Sequence, residues 1–147
     1  DLIFKYDLKG IHFTEVHLER KFKKWWFLRK LKASGKKITM TRSYHKLSEV
    51  YNEEELPFDY YLIGTIYNNI TNEFYSGFYE QGINTMIKTS KKLFVARGGI
   101  NGVTIEKSYK YGFKGAALNS QIWKSEKPFE RFLEIIEDCK KRGVVLD

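Results

Sequence analysis

The sequence predicts an α/β domain built on a parallel sheet. Three observations carry this: apolar runs of strand length, helical apolar periodicity between them, and polar or glycine-rich residues at the C-terminal ends of the runs. Strands that alternate with helices pair in parallel and bind ligands beyond their carboxyl ends. At 147 residues the chain suits a single domain, 1–147, with one core.

Taken in order, Gly10-Ile11-His12-Phe13 fits a first short strand. Leu18 to Ala33 then has apolar residues near a 3.6 period (Phe22, Trp25, Trp26, Leu28, Leu31), which predicts an amphipathic helix stopped by Ser34-Gly35. Lys37 to Thr41 is β-branched and brief, and Leu47 to Tyr51 predicts one or two helical turns before Pro57. Phe58 to Ile66 is nearly all apolar, as in a strand buried on both faces, and stops at Asn68-Asn69. A helix over Glu80 to Thr89 precedes a strand, Lys92 to Arg97, that runs into Gly98-Gly99. A helix over Thr104 to Tyr111 leads to a last strand at Ala116-Ala117-Leu118. Pro128 opens a closing helix through Lys140, with Phe129, Phe132, Leu133 and Ile136 on one face.

Composition narrows the class. Hydrophobic residues are 42% and aromatics 16% of the chain, with two prolines and no low-complexity tract, which excludes a disordered protein. The lone Cys139 forms no internal disulfide and no Cys/His cluster has zinc spacing, so a reducing, cytoplasmic setting is expected. No apolar run approaches the ~20 residues of a membrane span, and no export signal is recognisable. The chain starts at Asp1 without a methionine, and the natural protein is expected to begin further upstream. A net charge of +8 invites anionic partners. Much of it lies in Arg20 to Lys32, with Lys36 and Lys37 beyond. This stretch reads as an outer helix that buries Trp25 or Trp26 and leaves its lysines in water; contact with a membrane or nucleic acid is the other reading. No nucleic-acid module pattern accompanies it, so nucleic acid is not the expected partner, and homo-oligomerisation is left open.

Two segments point to phosphate. Gly98-Gly99 at the end of a buried strand lets backbone N–H groups approach an anion, although such a pair also makes plain turns. Gly115 to Ile122 ends the next strand in small and polar residues, Asn119 and Ser120 among them, as barrels do at their phosphate sites. Arg97, beside the glycines, reads equally as a surface cation or as a phosphate-binding charge. His45 is expected to be buried and hydrogen-bonded. His12 and His17 have no Cys or carboxylate partners at zinc-ligand spacing, and Glu53-Glu54-Glu55 reads as a solvated loop.

These segments together resemble the thiamine phosphate synthase and thiazole tautomerase family. Gly10 to Phe13 is similar to its "GVHL" strand, Ser43-Tyr44-His45 to its "S-x-H", and Asp59 to Tyr67 to its "DYVGxGPIF". Gly98-Gly99-Ile100 and Gly112 to Ile122 resemble its "GGI" and "GAxGVAVxSAI". The resemblance implies a (β/α)8 TIM barrel of which this chain holds strands four to eight. It also implies a reaction in which hydroxymethylpyrimidine diphosphate loses pyrophosphate and a thiazole phosphate nitrogen captures the resulting cation, with Mg²⁺ and hydrogen-bond donors stabilising the leaving group. By the same resemblance Gly98, Gly99, Asn119 and Ser120 hold the thiazole phosphate, Ser43 lies near the pyrophosphate, and Asn69 and Thr71 occupy a "T-x-T" loop. The chain departs from the pattern at Asn72, where the family has a lysine, at His17, where it has a metal-binding Asp, and at Thr65, where it has a proline. A synthase-like transferase, a divergent phosphate binder of the same fold and a basic interaction protein using the Arg20 to Lys37 surface are therefore all carried forward.

Overall fold

The computed structural model describes residues 2–52, 56–68 and 70–145. A short helix α1 (Leu2–Lys5) precedes β1 (Gly10–Phe13), α2 (Glu15–Glu19), α3 (Lys21–Ser34) and β2 (Thr39–Tyr44). A 3-10 turn (Leu47–Tyr51) leads to β3 (Tyr60–Ile63), then α4 (Glu80–Thr89), β4 (Phe94–Arg97), α5 (Gly102–Tyr111), β5 (Gly115–Ala117), α6 (Ser120–Trp123) and α7 (Pro128–Lys141). All five strands are parallel and lie in sequence order, β1-β2-β3-β4-β5. A doubly wound sheet reverses its order at a switch point; an unreversed order is that of a barrel wall.

The register sorts the strand residues into two faces. Phe13 lies beside Arg42, Arg42 beside Tyr61 and Tyr61 beside Phe94, so these share one side with Tyr44, Ile63 and Ala96. Against that side pack Ile83 and Met86 of α4, Ile105 of α5, and Ile135 and Cys139 of α7, which makes it the helix layer and the core. Full burial of side chains such as Ile63, Ile83 and Phe94 contributes about 1.5–3 kcal/mol each. His12, Thr41, Ser43, Leu62, Val95 and Arg97 alternate with these residues and face the barrel interior. Among the named strands β1 and β5 are each paired along one edge only.

Two helix readings need correction. The expected helix from Leu18 to Ala33 is broken at Arg20 (ψ 68°), outside the helical region, giving α2 and α3. Trp25 and Trp26 are not buried: they are 47% and 60% exposed, and the residues that α3 turns inward are Phe27, Leu28 and Leu31. Apolar residues surround this helix, so periodicity alone does not select its inward face. In α7 the inward residues are Ile135 and Cys139, while Phe129 and Leu133 are exposed. The apolar stripe expected there is rotated aside, and Phe132 and Ile136 line an open groove of about 710 Å³ beside β5, with Gly115, Ala116 and Val144. Glu53-Glu54-Glu55 lies outside the described residues.

Candidate active site at the strand ends

Three strands, β1, β2 and β4, bring polar groups together on the interior face. His12 of β1 reaches two neighbours on β2, with Nδ1 2.8 Å from Thr41 Oγ1 and Nε2 3.0 Å from Ser43 Oγ. From β4, Arg97 Nη1 donates to Ser43 Oγ at 3.2 Å, and Nη2 donates to the Gly64 carbonyl at 3.3 Å and lies 3.3 Å from His45 Nδ1. A guanidinium only donates, so Ser43 Oγ accepts from it. The direction of the two His12 bonds follows the tautomer of its ring. Burial, the charge of Arg97 and the charge of His17 all hold the His12 pKa below its usual value, which favours the neutral imidazole.

Arg97, read from the sequence as a surface cation or a phosphate-binding charge, is half-buried and lies on the interior face. His45 is corrected: it is exposed at the strand end, because it continues the Thr41, Ser43 alternation past β2 and out of the packed layer. His12, Thr41 and the Gly64 carbonyl were not singled out as site groups in the sequence. The period-two series Thr41, Ser43, His45 was the available signal for a shared face.

The loop after β3 lies along the loop after β4. Ile66 N donates to the Arg97 carbonyl (2.9 Å) and Tyr67 N to the Gly98 carbonyl (3.2 Å). Gly98 and Gly99 both have positive φ, 83° and 69°. A Cβ on Gly99 would meet the Tyr67 carbonyl oxygen at 2.1 Å, so the glycine is required by close backbone approach as well as by its dihedral. Asn101 then caps α5, its Oδ1 accepting from Val103 N (2.9 Å) and Thr104 N (3.1 Å). Arg97 pairs in register with Ala117, which puts Gly98-Gly99 and Asn119-Ser120 at the same end of adjacent strands.

Other expected site residues are engaged locally. Thr71 is exposed and bonds within its own loop, N to Asn68 Oδ1 and Oγ1 accepting from Glu73 N, both at 3.3 Å. Asn69 lies outside the described residues. Asn72 has φ 58° and its Oδ1 accepts from Asn101 Nδ2 at 2.6 Å, so the side chain braces the α5 cap.

A sequence model described as thiamine monophosphate synthase matches residues 4–122 and takes in this whole cluster. The chain belongs to that family. Thiamine-phosphate synthase 1 of Aquifex aeolicus (strain VF5) is 31% identical over 91 residues, which are 62% of this chain and 42% of that protein. The chain thus spans less than half the length of this curated relative. Among solved structures, thiamine phosphate pyrophosphorylase from Pyrococcus furiosus superimposes with a TM-score of 0.67 at 17% identity, covering 97% of this chain and 64% of the other. The Bacteroides thetaiotaomicron pyrophosphorylase gives 0.62 at 20% identity, covering 97% and 65%. A 3-hexulose-6-phosphate synthase gives 0.60 at 15% identity, covering 99% and 66%. At these identities the superpositions establish the barrel-type fold.

The Mg²⁺ that the family resemblance implies needs hard oxygen ligands. Among the described residues no group of three or more His, Cys, Asp or Glu side chains comes together. His17, at the family's Asp position, instead caps α2: its Nδ1 accepts from Thr14 N (3.3 Å) and lies 3.0 Å from Thr14 Oγ1. His17 thus offers no oxygen ligand at the position where the family has an Asp.

Proposed function

We propose that this chain forms strands four to eight of a thiamine phosphate synthase-like barrel, completed by β/α units preceding residue 1, and that the complete cytoplasmic protein joins hydroxymethylpyrimidine diphosphate to thiazole phosphate. The observation that carries the reading is the cluster of Arg97, Ser43, His12 and His45 on the interior face, next to Gly98-Gly99, in a member of this family. The two singly paired edges and the groove beside β5 support completion by further strands.

In this proposal the pyrimidine CH₂–O bond breaks with its electron pair leaving on pyrophosphate, and the thiazole nitrogen lone pair closes the new C–N bond to the resulting cation. Arg97 and Ser43 meet the developing charge on the departing pyrophosphate, where a fixed donor is worth more than in water. Arg97 takes the role of the lysine replaced by Asn72. Gly98, Gly99, Asn119 and Ser120 hold the thiazole phosphate, and Asn69 and Thr71 serve the pyrophosphate-transfer step from the loop that corresponds to the family's T-x-T. Neutral His12 keeps Ser43 oriented through the hydrogen bond at 3.0 Å.

Calorimetric titration of the full-length protein with thiazole phosphate and with pyrophosphate tests the assignment. Binding of both supports it; binding of neither overturns it. The Asn72–Asn101 bond and the engagement of His17 with Thr14 favour a second reading, a phosphate binder of the same fold without turnover. It predicts thiazole phosphate binding with no product formed.

A further inference from the structure

Helix α3 carries apolar residues on two opposed sides. Phe27 packs on the helix layer of the sheet, its ring 6.2 Å from Phe13 and 6.3 Å from Phe4, with Leu28 and Leu31 half-buried beside it. At about 100° per residue, Phe22, Trp25, Trp26 and Arg29 fall on the opposite side, away from the sheet. Phe22 is 75% exposed, and with the two tryptophans it forms a continuous aromatic cluster: ring centroids are 6.1 Å apart for Phe22–Trp25 and 6.2 Å for Trp25–Trp26. The Arg29 guanidinium lies 5.1 Å from the Trp25 ring. Lys21 and Lys32 border this face on one flank and Lys23 on the other, Lys30 turning to the Phe4 ring at 4.6 Å, and the segment Lys21–Ser34 contains no acidic residue. Closing a barrel leaves the side of an outer helix opposite the sheet in water.

We propose that this face of α3 is a docking surface for an anionic lipid bilayer. An exposed stripe of Phe and Trp rimmed on both sides by Lys is the pattern of a helix that lies in the plane of the membrane interface, with rings at headgroup depth and cations toward lipid phosphates. At 14 residues α3 is about 21 Å long, enough to lie on a bilayer and too short to cross one. The absence of acidic residues makes the complementary surface negative. The site is remote from the strand-end cluster and does not depend on the reading of its chemistry.

The test is co-flotation of the full-length protein with vesicles of phosphatidylcholine containing phosphatidylserine, against vesicles of phosphatidylcholine alone. Partition into the anionic vesicles is expected to be at least about tenfold stronger and to weaken as salt is raised. Trp25→Ser with Trp26→Ser, and separately Lys21→Glu with Lys23→Glu, should each reduce it about tenfold. Melting temperatures should stay unchanged, since all four side chains are exposed. Single Trp26→Ser provides a milder check should a double variant misfold. Equal partition into both vesicle types, or binding retained in both double variants, overturns the proposal. So does binding to oligonucleotides without binding to vesicles, or lipid-free self-association that shields Trp25 and Trp26.

Discussion

Arg97 and Ser43 are joined across an intervening strand: the guanidinium of β4 donates to the hydroxyl of β2 at 3.2 Å, with β3 between them. The same guanidinium is also held by the Gly64 carbonyl and faces His45, so its position is fixed from three directions before any anion arrives. Arg97→Leu should weaken pyrophosphate binding about ten- to a hundredfold, the weight of a charge-assisted contact, and Arg97→Lys should restore only part of it because the fork geometry is lost. Calorimetric titration of the variants checks this; unchanged affinity in Arg97→Leu would remove Arg97 from the site.

His12 gives a pH signature. Its folded pKa is depressed by burial and by Arg97 and His17, so the unfolded chain takes up this proton first as pH falls. Stability should therefore decline from about pH 6.5, the ordinary histidine value, down to the lowered folded value, and level off below it for this group. Denaturant melts of wild type and His12→Gln across that window should differ in slope, with the variant lacking the decline.

Gly99→Ala tests the loop packing. The added methyl would meet the Tyr67 carbonyl at 2.1 Å, and φ of 69° disfavours any side chain. A loss of about 2 kcal/mol or more is expected. Thermal unfolding that leaves Gly99→Ala as stable as wild type would contradict the close approach of the two loops.

Asn72→Lys separates the two functional readings. The change gives up the 2.6 Å bond to Asn101, at about 1 kcal/mol, and places a lysine where positive φ suits asparagine better. In a synthase it restores the family's charge and should raise pyrophosphate affinity despite lower stability. In a phosphate binder without turnover it should only destabilise.

The order of elements was legible because period-two and near-continuous apolar runs mark buried strands whatever surrounds them; Glu80–Thr89 and Leu47–Tyr51 form where expected. Helix orientation was less so. α3 carries aromatic residues around its circumference, and Phe27, not a tryptophan, meets Phe13. Gly98-Gly99 was legible as a strand-end turn from the apolar run before it, and Ser43 was singled out by the family resemblance. His12 was not, because its role depends on β1 lying in register with β2, His12 beside Thr41, a pairing that local sequence does not encode. Asn72 read as a missing charge; that it braces Asn101 follows from the approach of two loops far apart in the chain.

The most direct test of the central claim is thiamine phosphate formation by the full-length protein from hydroxymethylpyrimidine diphosphate and thiazole phosphate, followed by chromatography and repeated with Arg97→Leu. The account predicts product with the wild type and a rate at least about tenfold lower with the variant. Binding of both substrates with no product, or product formation indifferent to Arg97, would contradict it.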